Sequence, residues 1–397
     1  MFKFGKHVLA YDWEDSPCEL IRALQLAPEL MEIVESDAKE LGLQTRLRDQ
    51  YSPALVRMAL ILRDERKRAV KKFSRGAEMW VDRVGLEQST AEPISQYKAR
   101  RFSGEIMDWC SGIGGDAISL AQHGSVIAVD RQPVNALRTE LNAAVYGVSE
   151  NVQILCKDVT NVPPGNALVH VDPDRRAGRT KQRSLRIEDS SPPLEFLLKL
   201  IDTARGGAIK LSPASNFRDR FPGTEAELVS LNGECREATI WFGELAGDTE
   251  YSATVLPANK TIRGNPLDAY TNVGPLGRFV YDPDPGVVRA GLVDILCERE
   301  GFHRLDDAEE YLASDEFIDS PFARGFEVLA EFSNNDKEVR RYFREHSYGE
   351  VEIKCRHVPI KADSLRKKLS LKGKGAAVII VARVAGRTRM LVCERKN

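Results

Sequence analysis

Apolar residues in the first quarter of the chain recur three and four positions apart, the spacing of one face of an α-helix. The pattern runs through 20–35 and again through 52–73. Ser52 precedes Pro53, which predicts an N-cap followed by proline at the first helical position. The expected buried stripe is Leu55, Met58 and Leu62. The pattern therefore predicts a helical amino-terminal unit over 1–98.

From Ile106 to about Leu256 the pattern changes to short apolar runs that alternate with amphipathic segments. This alternation is typical of a parallel sheet with crossover helices. Five strands are expected at 105–110, 125–130, 151–158, 167–172 and 206–212. Two more, 238–245 and 251–257, follow without a long helix between them and should form an antiparallel pair. The segment 99–285 is thus predicted as an α/β domain with a seven-stranded, mostly parallel, Rossmann-like sheet.

The remainder of the chain, 286–397, is predicted to be a linker helix followed by a small α+β domain. It comes after a stretch rich in proline and glycine, 265–286, of the kind that separates structural units. A helical pattern over 287–300 follows. Strands are expected at 351–357, 376–383 and 389–395, around a basic helix.

Composition narrows the functional classes. The chain has 397 residues, 42% of them hydrophobic and 29% charged, and a net charge of −2. No run approaches the roughly 20 apolar residues of a membrane span, and the amino end lacks the pattern of a secretory signal, so a cytoplasmic protein is expected. The 7 cysteines are scattered singly and the 6 histidines show no ligand spacing, so neither disulfides nor a metal site is predicted. Nothing in the pattern predicts an oligomeric state.

The first predicted strand ends in a glycine-rich turn that opens a helix. Gly112, Gly114 and Ala117 fit a relaxed dinucleotide-binding fingerprint, with Asp130 at the spacing of a ribose-binding carboxylate. A nicotinamide-dependent oxidoreductase is therefore one interpretation. Asp108 favours another, because a carboxylate beside this turn repels a pyrophosphate and attracts the cationic amino group of a methionine moiety. The charge favours S-adenosylmethionine as the cofactor.

Two further aspartates follow successive strands. Asp130 is placed to accept hydrogen bonds from the ribose hydroxyls, and Asp158 to accept one from the exocyclic amine of adenine. Three such carboxylates after a glycine turn predict a site for a nucleoside-containing cofactor. The predicted cofactor-binding residues are Asp108, Cys110, Gly112, Gly114, Asp116, Asp130, Arg131, Asp158 and Val159.

The fourth strand leads into Asp172 and Pro173, the predicted catalytic residues. Methyl transfer from a sulfonium is an in-line displacement, so the protein chiefly aligns the acceptor and binds its N–H or O–H groups. Asp172 is suited to that role. A simple turn at these two residues is the alternative interpretation, and His170, within the strand, is expected to be a core residue.

These motifs resemble those of class I methyltransferases. The whole chain is similar to a bacterial branch that carries a helical amino-terminal unit and a carboxy-terminal THUMP-like domain, and that is related to trimethylguanosine synthases. The resemblance implies methyl transfer from S-adenosylmethionine to RNA at a base nitrogen. Amino-directed methylases usually continue with a second proline and an aromatic residue, where this chain has Asp174 and Arg175. A non-catalytic RNA-binding or cofactor-binding protein is the other interpretation of that departure.

Two basic clusters are candidates for phosphate contact. The first follows Asp172, and its predicted substrate-binding residues are Arg175, Arg176, Arg179, Lys181 and Arg183. The second lies in the THUMP-like region and comprises Lys361, Arg366, Lys367, Lys368, Lys372 and Lys374. Lys98, Arg100 and Arg101 are expected at the substrate surface or at a lid over the cofactor.

Overall fold

The computed structural model describes residues 16–36, 40–47, 49–174 and 186–396. The chain forms two compact units. The first extends to Lys210 and includes 216–220 and 242–246, and the second contains the other residues from Leu211 onward. No helix in the described ranges has the length and apolarity needed to cross a bilayer. The same residues contain no group of His, Cys, Asp and Glu side chains arranged to hold a metal ion.

Helices precede the first strand, as the sequence predicts. They are α1 (Pro17–Gln25), α2 (Pro28–Ser36), α3 (Glu40–Leu47), α4 (Pro53–Ala69), α5 (Arg83–Gln88) and α6 (Glu92–Ala99). The predicted N-cap is confirmed, since the Ser52 hydroxyl accepts a hydrogen bond from the Leu55 N–H at 3.2 Å. Leu55 and Leu62 are buried in the core of this unit, and Met58 packs against it.

Parallel strands and crossover helices follow. The strands are β1 (Gly104–Trp109), β2 (Gly124–Asp130), β3 (Val152–Cys156), β4 (Leu168–Val171) and β5 (Gly206–Leu211). The helices are α7 (Gly115–Leu120), α8 (Pro133–Val145) and α9 (Leu194–Thr203). β1 lies between β2 and β4, with Asp108 opposite Ala128 on one side and His170 on the other. The five strands are parallel, so their carboxyl ends meet at one edge of the sheet.

The α/β fold class is confirmed, but the sheet has nine strands rather than seven. The later strands are β6 (Glu225–Leu231), β7 (Glu234–Gly243), β8 (Tyr251–Leu256) and β9 (Lys260–Gly264), and the order is β3-β2-β1-β4-β5-β7-β6-β8-β9. The predicted antiparallel pairing of β7 with β8 is wrong. β7 pairs antiparallel with β6, and β8 pairs parallel with β6 and antiparallel with β9.

Buried charge explains why β6 was missed. Its sequence contains Glu225 and Glu227, which suggest a polar segment, yet both residues are fully buried. The Ser252 and Thr254 hydroxyls donate to these carboxylates at 2.5 and 2.6 Å. The strand is therefore stabilised by hydrogen bonds to its charged side chains, which an apolar pattern does not reveal.

The second unit contains another sheet. Its strands are β10 (Phe279–Pro283), β11 (His303–Arg304), β12 (Leu312–Ser314), β13 (Ala323–Ser333), β14 (Tyr348–Cys355), β15 (Gly375–Val384) and β16 (Arg387–Arg395), in the order β11-β12-β10-β13-β16-β15-β14. Its helices are α10 (Pro285–Ala290), α11 (Val293–Glu300), α12 (Asp336–Glu345) and α13 (Ala362–Lys368). The predicted strands β14, β15 and β16 and the basic helix α13 are present. β10 was missed because it lies within the segment rich in proline and glycine.

Candidate active site

A cavity of about 440 Å³ lies at the carboxyl ends of the parallel strands. Its lining includes all the predicted cofactor-binding and catalytic residues except Gly114. The predicted residues that line it are Asp108, Cys110, Gly112, Asp116, Asp130, Arg131, Asp158, Val159, Asp172 and Pro173. Ligands of open α/β sheets bind at this edge, so the fold brings the separate sequence motifs to one place.

The glycine turn has the backbone conformation that its sequence suggests. Gly112 and Gly114 have φ of +60° and +83°, and Cys110 has φ of +62°, which is uncommon for a residue with a side chain. A Cβ on Gly114 would lie 3.1 Å from Thr139 Cγ2 of α8. Gly114 therefore allows the turn to pack closely against α8. This packing explains why Gly114 does not line the cavity.

Asp130 holds the turn in place. One carboxylate oxygen accepts from the Gly112 N–H at 3.0 Å and the other accepts from the Gln132 N–H at 2.8 Å. Burial raises the pKa of Asp130. Its carboxylate thus fixes the loop while still facing the cavity.

Asp158 lies at the exposed side of the cavity. Its Oδ1 accepts from both the N–H and the hydroxyl of Thr160, at 2.9 and 2.7 Å. These bonds lower the pKa of Asp158, so the carboxylate is ionised at neutral pH. Val159, next in the chain, is buried in the cavity wall.

A buried polar network lies beneath the glycine turn. Asp108 Oδ1 is 2.7 Å from His170 Nδ1, and His170 Nε2 is 3.2 Å from the Lys98 ammonium. Lys98 also lies 3.0 Å from Asp116 Oδ1, whose other oxygen accepts from the Thr90 hydroxyl at 2.6 Å. The predicted surface position of Lys98 is therefore wrong, because its pairing with Asp116 places it in the interior at 1% exposure.

Donors and acceptors are paired along this network. An ammonium only donates, so His170 Nε2 accepts from Lys98 and its Nδ1–H donates to Asp108. Burial raises the pKa of Asp108. For Asp116, burial raises the pKa, but nearby positive charges, that of Lys98 first among them, and the hydrogen bond from Thr90 together lower it. His170 is a core residue, as predicted, and it also connects the two aspartates.

Asp172 is held by Lys210, a residue that the sequence motifs do not predict for this site. The Lys210 ammonium lies 2.5 Å from Asp172 Oδ2 and donates to the Gln88 carbonyl at 3.0 Å. The Gln88 side chain in turn donates to Asp174 Oδ1 at 3.2 Å. Lys210 lies near the carboxyl end of a predicted parallel strand, a position typical of residues that bind ligands. Its alignment with Asp172 depends on the register between neighbouring strands, which the sequence does not reveal.

The first basic cluster cannot be located. Arg175, Arg176, Arg179, Lys181 and Arg183 lie outside the described residues. The residues on either side are described: Asp174 and Ser191 exchange backbone hydrogen bonds at 2.8 and 2.9 Å, and Ser191 lines the cavity. The second cluster lies on α13 and the loop after it, and all six of its side chains are exposed.

Comparison with known proteins decides the class. Two relatives from Mycobacterium tuberculosis, strains CDC 1551 and H37Rv, are named as uncharacterized S-adenosylmethionine-dependent methyltransferases. Each is 31% identical over 349 residues, covering 84% of this chain and 93% of the relative. The chain belongs to this methyltransferase family. This assignment replaces the nicotinamide-dependent interpretation and the non-catalytic one.

Other comparisons describe parts of this methyltransferase and its fold. Residues 103–193 match the family described as RNA cap guanine-N2 methyltransferase, and residues 323–395 match the THUMP domain-like family. A protein from Porphyromonas gingivalis W83, solved as a candidate methyltransferase, shares the fold with a TM-score of 0.76. That alignment covers 97% of this chain and 99% of the other at 18% identity.

The cavity suits the cofactor of this methyltransferase. Asp108 Oδ2 is buried and has no hydrogen-bond partner within the described ranges, although the residue lines the cavity. A buried carboxylate oxygen without a donor is costly, and the amino group of the methionine moiety supplies one. The carboxylates of Asp130 and Asp158 are acceptors suited to hydroxyl and amine donors of a nucleoside.

Proposed function

We propose that this methyltransferase acts on RNA and methylates a base nitrogen in the cavity beside Asp172. The observation that carries the proposal is the convergence of Asp108, Asp130, Asp158 and Asp172 on one cavity. Three of these carboxylates suit the parts of the cofactor, and the fourth suits the N–H of an acceptor. All four carboxylates lie within residues 103–193, the segment that matches an RNA cap guanine-N2 methyltransferase family.

On the cofactor side, each residue has a separate task. Asp108 accepts from the amino group through its unpartnered oxygen, and the glycine turn lets the ligand approach the backbone. Asp130 accepts from the ribose hydroxyls, and Asp158 from the adenine amine. Lys98, His170 and Asp116 act from behind the turn by holding Asp108 in place.

On the acceptor side, Asp172 orients the base. S-adenosylmethionine, when bound, supplies an electrophilic methyl group on a sulfonium. The Asp172 carboxylate accepts an N–H of the base and aligns the nitrogen for in-line attack. Lys210 fixes the direction of the Asp172 carboxylate through its ion pair. Pro173 restricts the backbone conformation of the turn after the strand.

RNA is the substrate class best supported by charge. The exposed cluster on α13 provides basic groups for a phosphate backbone, in a region that matches a THUMP-like family. We keep the arginine-rich cluster at 175–183 as predicted phosphate contacts at the active site. An RNA substrate also agrees with the predicted cytoplasmic location.

The test uses S-adenosylmethionine with a tritiated methyl group and an extract that contains RNA and protein. We expect label that ribonuclease removes and protease does not, and label on a base nitrogen after nucleoside analysis by mass spectrometry. Protease-sensitive label would reject the RNA substrate, and label on a ribose hydroxyl would reject the predicted atom. Lys210→Met, which removes the ammonium beside Asp172, should reduce the label. Lys199→Met, at an exposed site, serves as its matched control.

A further inference from the structure

Three aromatic rings lie together where α12 ends and β14 begins. The rings of Tyr342 and His346 are 3.9 Å apart at an angle of 22°. Tyr348 is 6.3 Å from the first and 6.0 Å from the second, at 25° and 18°. Both tyrosines are half-buried against the core of this unit, whereas His346 is exposed. His346 is therefore the solvent-exposed ring of this aromatic cluster, stacked on Tyr342 with Tyr348 beside it.

The exposed ring of His346 is fixed by the end of the helix. Its backbone N–H donates to the Tyr342 carbonyl at 3.1 Å, and its ring Nδ1 lies 2.8 Å from the same oxygen. A carbonyl only accepts, so Nδ1 carries the hydrogen. A ring held in this way loses little conformational freedom when a ligand stacks on it.

A loop that carries two lysines lies next to Tyr348. The Gly373 N–H donates to the Tyr348 carbonyl at 2.9 Å. A Cβ added to Gly375 would lie 3.3 Å from Tyr348 Cδ1, so the ring edge leaves little space for a side chain at this position. The exposed side chains of this loop include Lys372 and Lys374.

The charge around the loop is strongly positive. Between 361 and 374 the basic residues are Lys361, Arg366, Lys367, Lys368, Lys372 and Lys374, against the single acidic residue Asp363. Lys368 pairs with Asp336 at 2.7 Å. Glu345 and Glu350, both exposed, are the acidic residues close to the aromatic residues in the sequence.

We propose that His346, Tyr342 and Tyr348 form a stacking platform for an unpaired RNA base, with Lys372 and Lys374 contacting the flanking phosphates. Aromatic side chains beside a basic groove are how proteins bind single strands without sequence preference. Bases within a duplex already stack on one another, so the platform favours single-stranded RNA. This inference rests on the RNA substrate proposed above.

The test measures binding of the full-length protein to fluorescein-labelled oligoadenylate and to an abasic chain of equal length. His346→Ala should weaken oligoadenylate binding about tenfold, the effect of losing ~1.4 kcal/mol of stacking, and leave abasic binding unchanged. His346→Phe should restore binding. Replacing Lys372 and Lys374 together by Ala should weaken binding of both chains and reduce its salt dependence. Lys199→Ala, at an exposed site of the other unit, is the control.

The outcomes separate this proposal from the function it rests on. Unchanged oligoadenylate binding in His346→Ala would overturn the platform, and so would an equal loss for the abasic chain, which indicates charge alone. Ribonuclease-sensitive methylation by the wild type would leave the RNA substrate standing in either case. If the wild type bound neither chain, the platform would be rejected. Failure of labelled RNA to form would count separately against the proposed function.

Discussion

The Lys98 ammonium and the Asp116 carboxylate form an ion pair at 3.0 Å in the interior, with side chains 2% and 9% exposed. Lys98 reaches it from α6, before the first strand, and Asp116 lies in the first turn of α7, after the glycine turn. Ser95 of α6 also shares a hydrogen bond with Ser119 of α7 at 2.8 Å. Helix α6 thus packs against α7, whose Asp116 lines the cofactor cavity.

Lys98→Met should destabilise the first unit strongly. It leaves Asp116 charged and buried without its cation, a change that costs about 3–5 kcal/mol. Urea unfolding followed by circular dichroism would measure the loss. Lys368→Met removes the ion pair of Lys368 with Asp336, whose side chains are 48% and 37% exposed, and should cost about 0.5 kcal/mol or less. Equal effects of the two substitutions would contradict the assigned role of the buried pair.

Asp108→Asn should selectively weaken the binding of S-adenosylhomocysteine. The substitution removes the charge that faces the ligand ammonium, and we expect a loss of about 1.5–3 kcal/mol in calorimetric titrations. 5′-Methylthioadenosine has the adenosine part without the amino acid, so its affinity should not change. Asp130→Ala should weaken the binding of both ligands by about 1–3 kcal/mol. If Asp108→Asn weakened the binding of both ligands, Asp108 would instead act on the fold of the site.

Cofactor affinity should decrease as the pH is lowered. Burial raises the pKa of Asp108. Protonation of Asp108 removes the negative charge that attracts the ligand ammonium, and the ammonium itself stays protonated as the pH is lowered. Affinity for S-adenosylhomocysteine is therefore full above the raised pKa and lost below it. Burial also raises the pKa of Asp130, so 5′-methylthioadenosine should show a weaker decrease. Identical pH profiles for the two ligands would argue against Asp108 as the amino-group acceptor.

Lys210→Met should impair methyl transfer more than cofactor binding. Without the ammonium 2.5 Å from Asp172 Oδ2, the carboxylate loses its fixed direction, and a misplaced acceptor reduces kcat on the order of 10²-fold. The Kd for S-adenosylhomocysteine should stay within about twofold, since Lys210 does not line the cavity. A large change in that Kd with a normal kcat would show that Lys210 acts on cofactor binding and not on the acceptor side.

The sequence predicts those parts of the site that depend on local pattern. Asp108 and Asp130 lie at the carboxyl ends of β1 and β2, and Asp158 and Asp172 follow β3 and β4. Parallel strands place these ends together. Lys98 was placed wrongly, because a lysine looks the same in sequence whether it is solvated or paired in the interior.

Pairing across strands is the other feature that the sequence conceals. Lys210 contacts Asp172 because β5 lies beside β4, and β6 is a strand although Glu225 and Glu227 interrupt its apolar pattern. Each depends on a partner distant in the chain. The register between distant strands and the hydrogen bonds of buried side chains are therefore visible only in the structure.

Methylation of an RNA base beside Asp172 is tested most directly by comparing the wild type with Asp172→Asn, using S-adenosylmethionine with a deuterated methyl group and cellular RNA. The wild type should place a deuterated methyl group on a base nitrogen. Asp172→Asn should lose that product and keep its affinity for S-adenosylhomocysteine. Full activity of Asp172→Asn would contradict the role of Asp172, and deuterium found on protein and absent from RNA would contradict the RNA substrate.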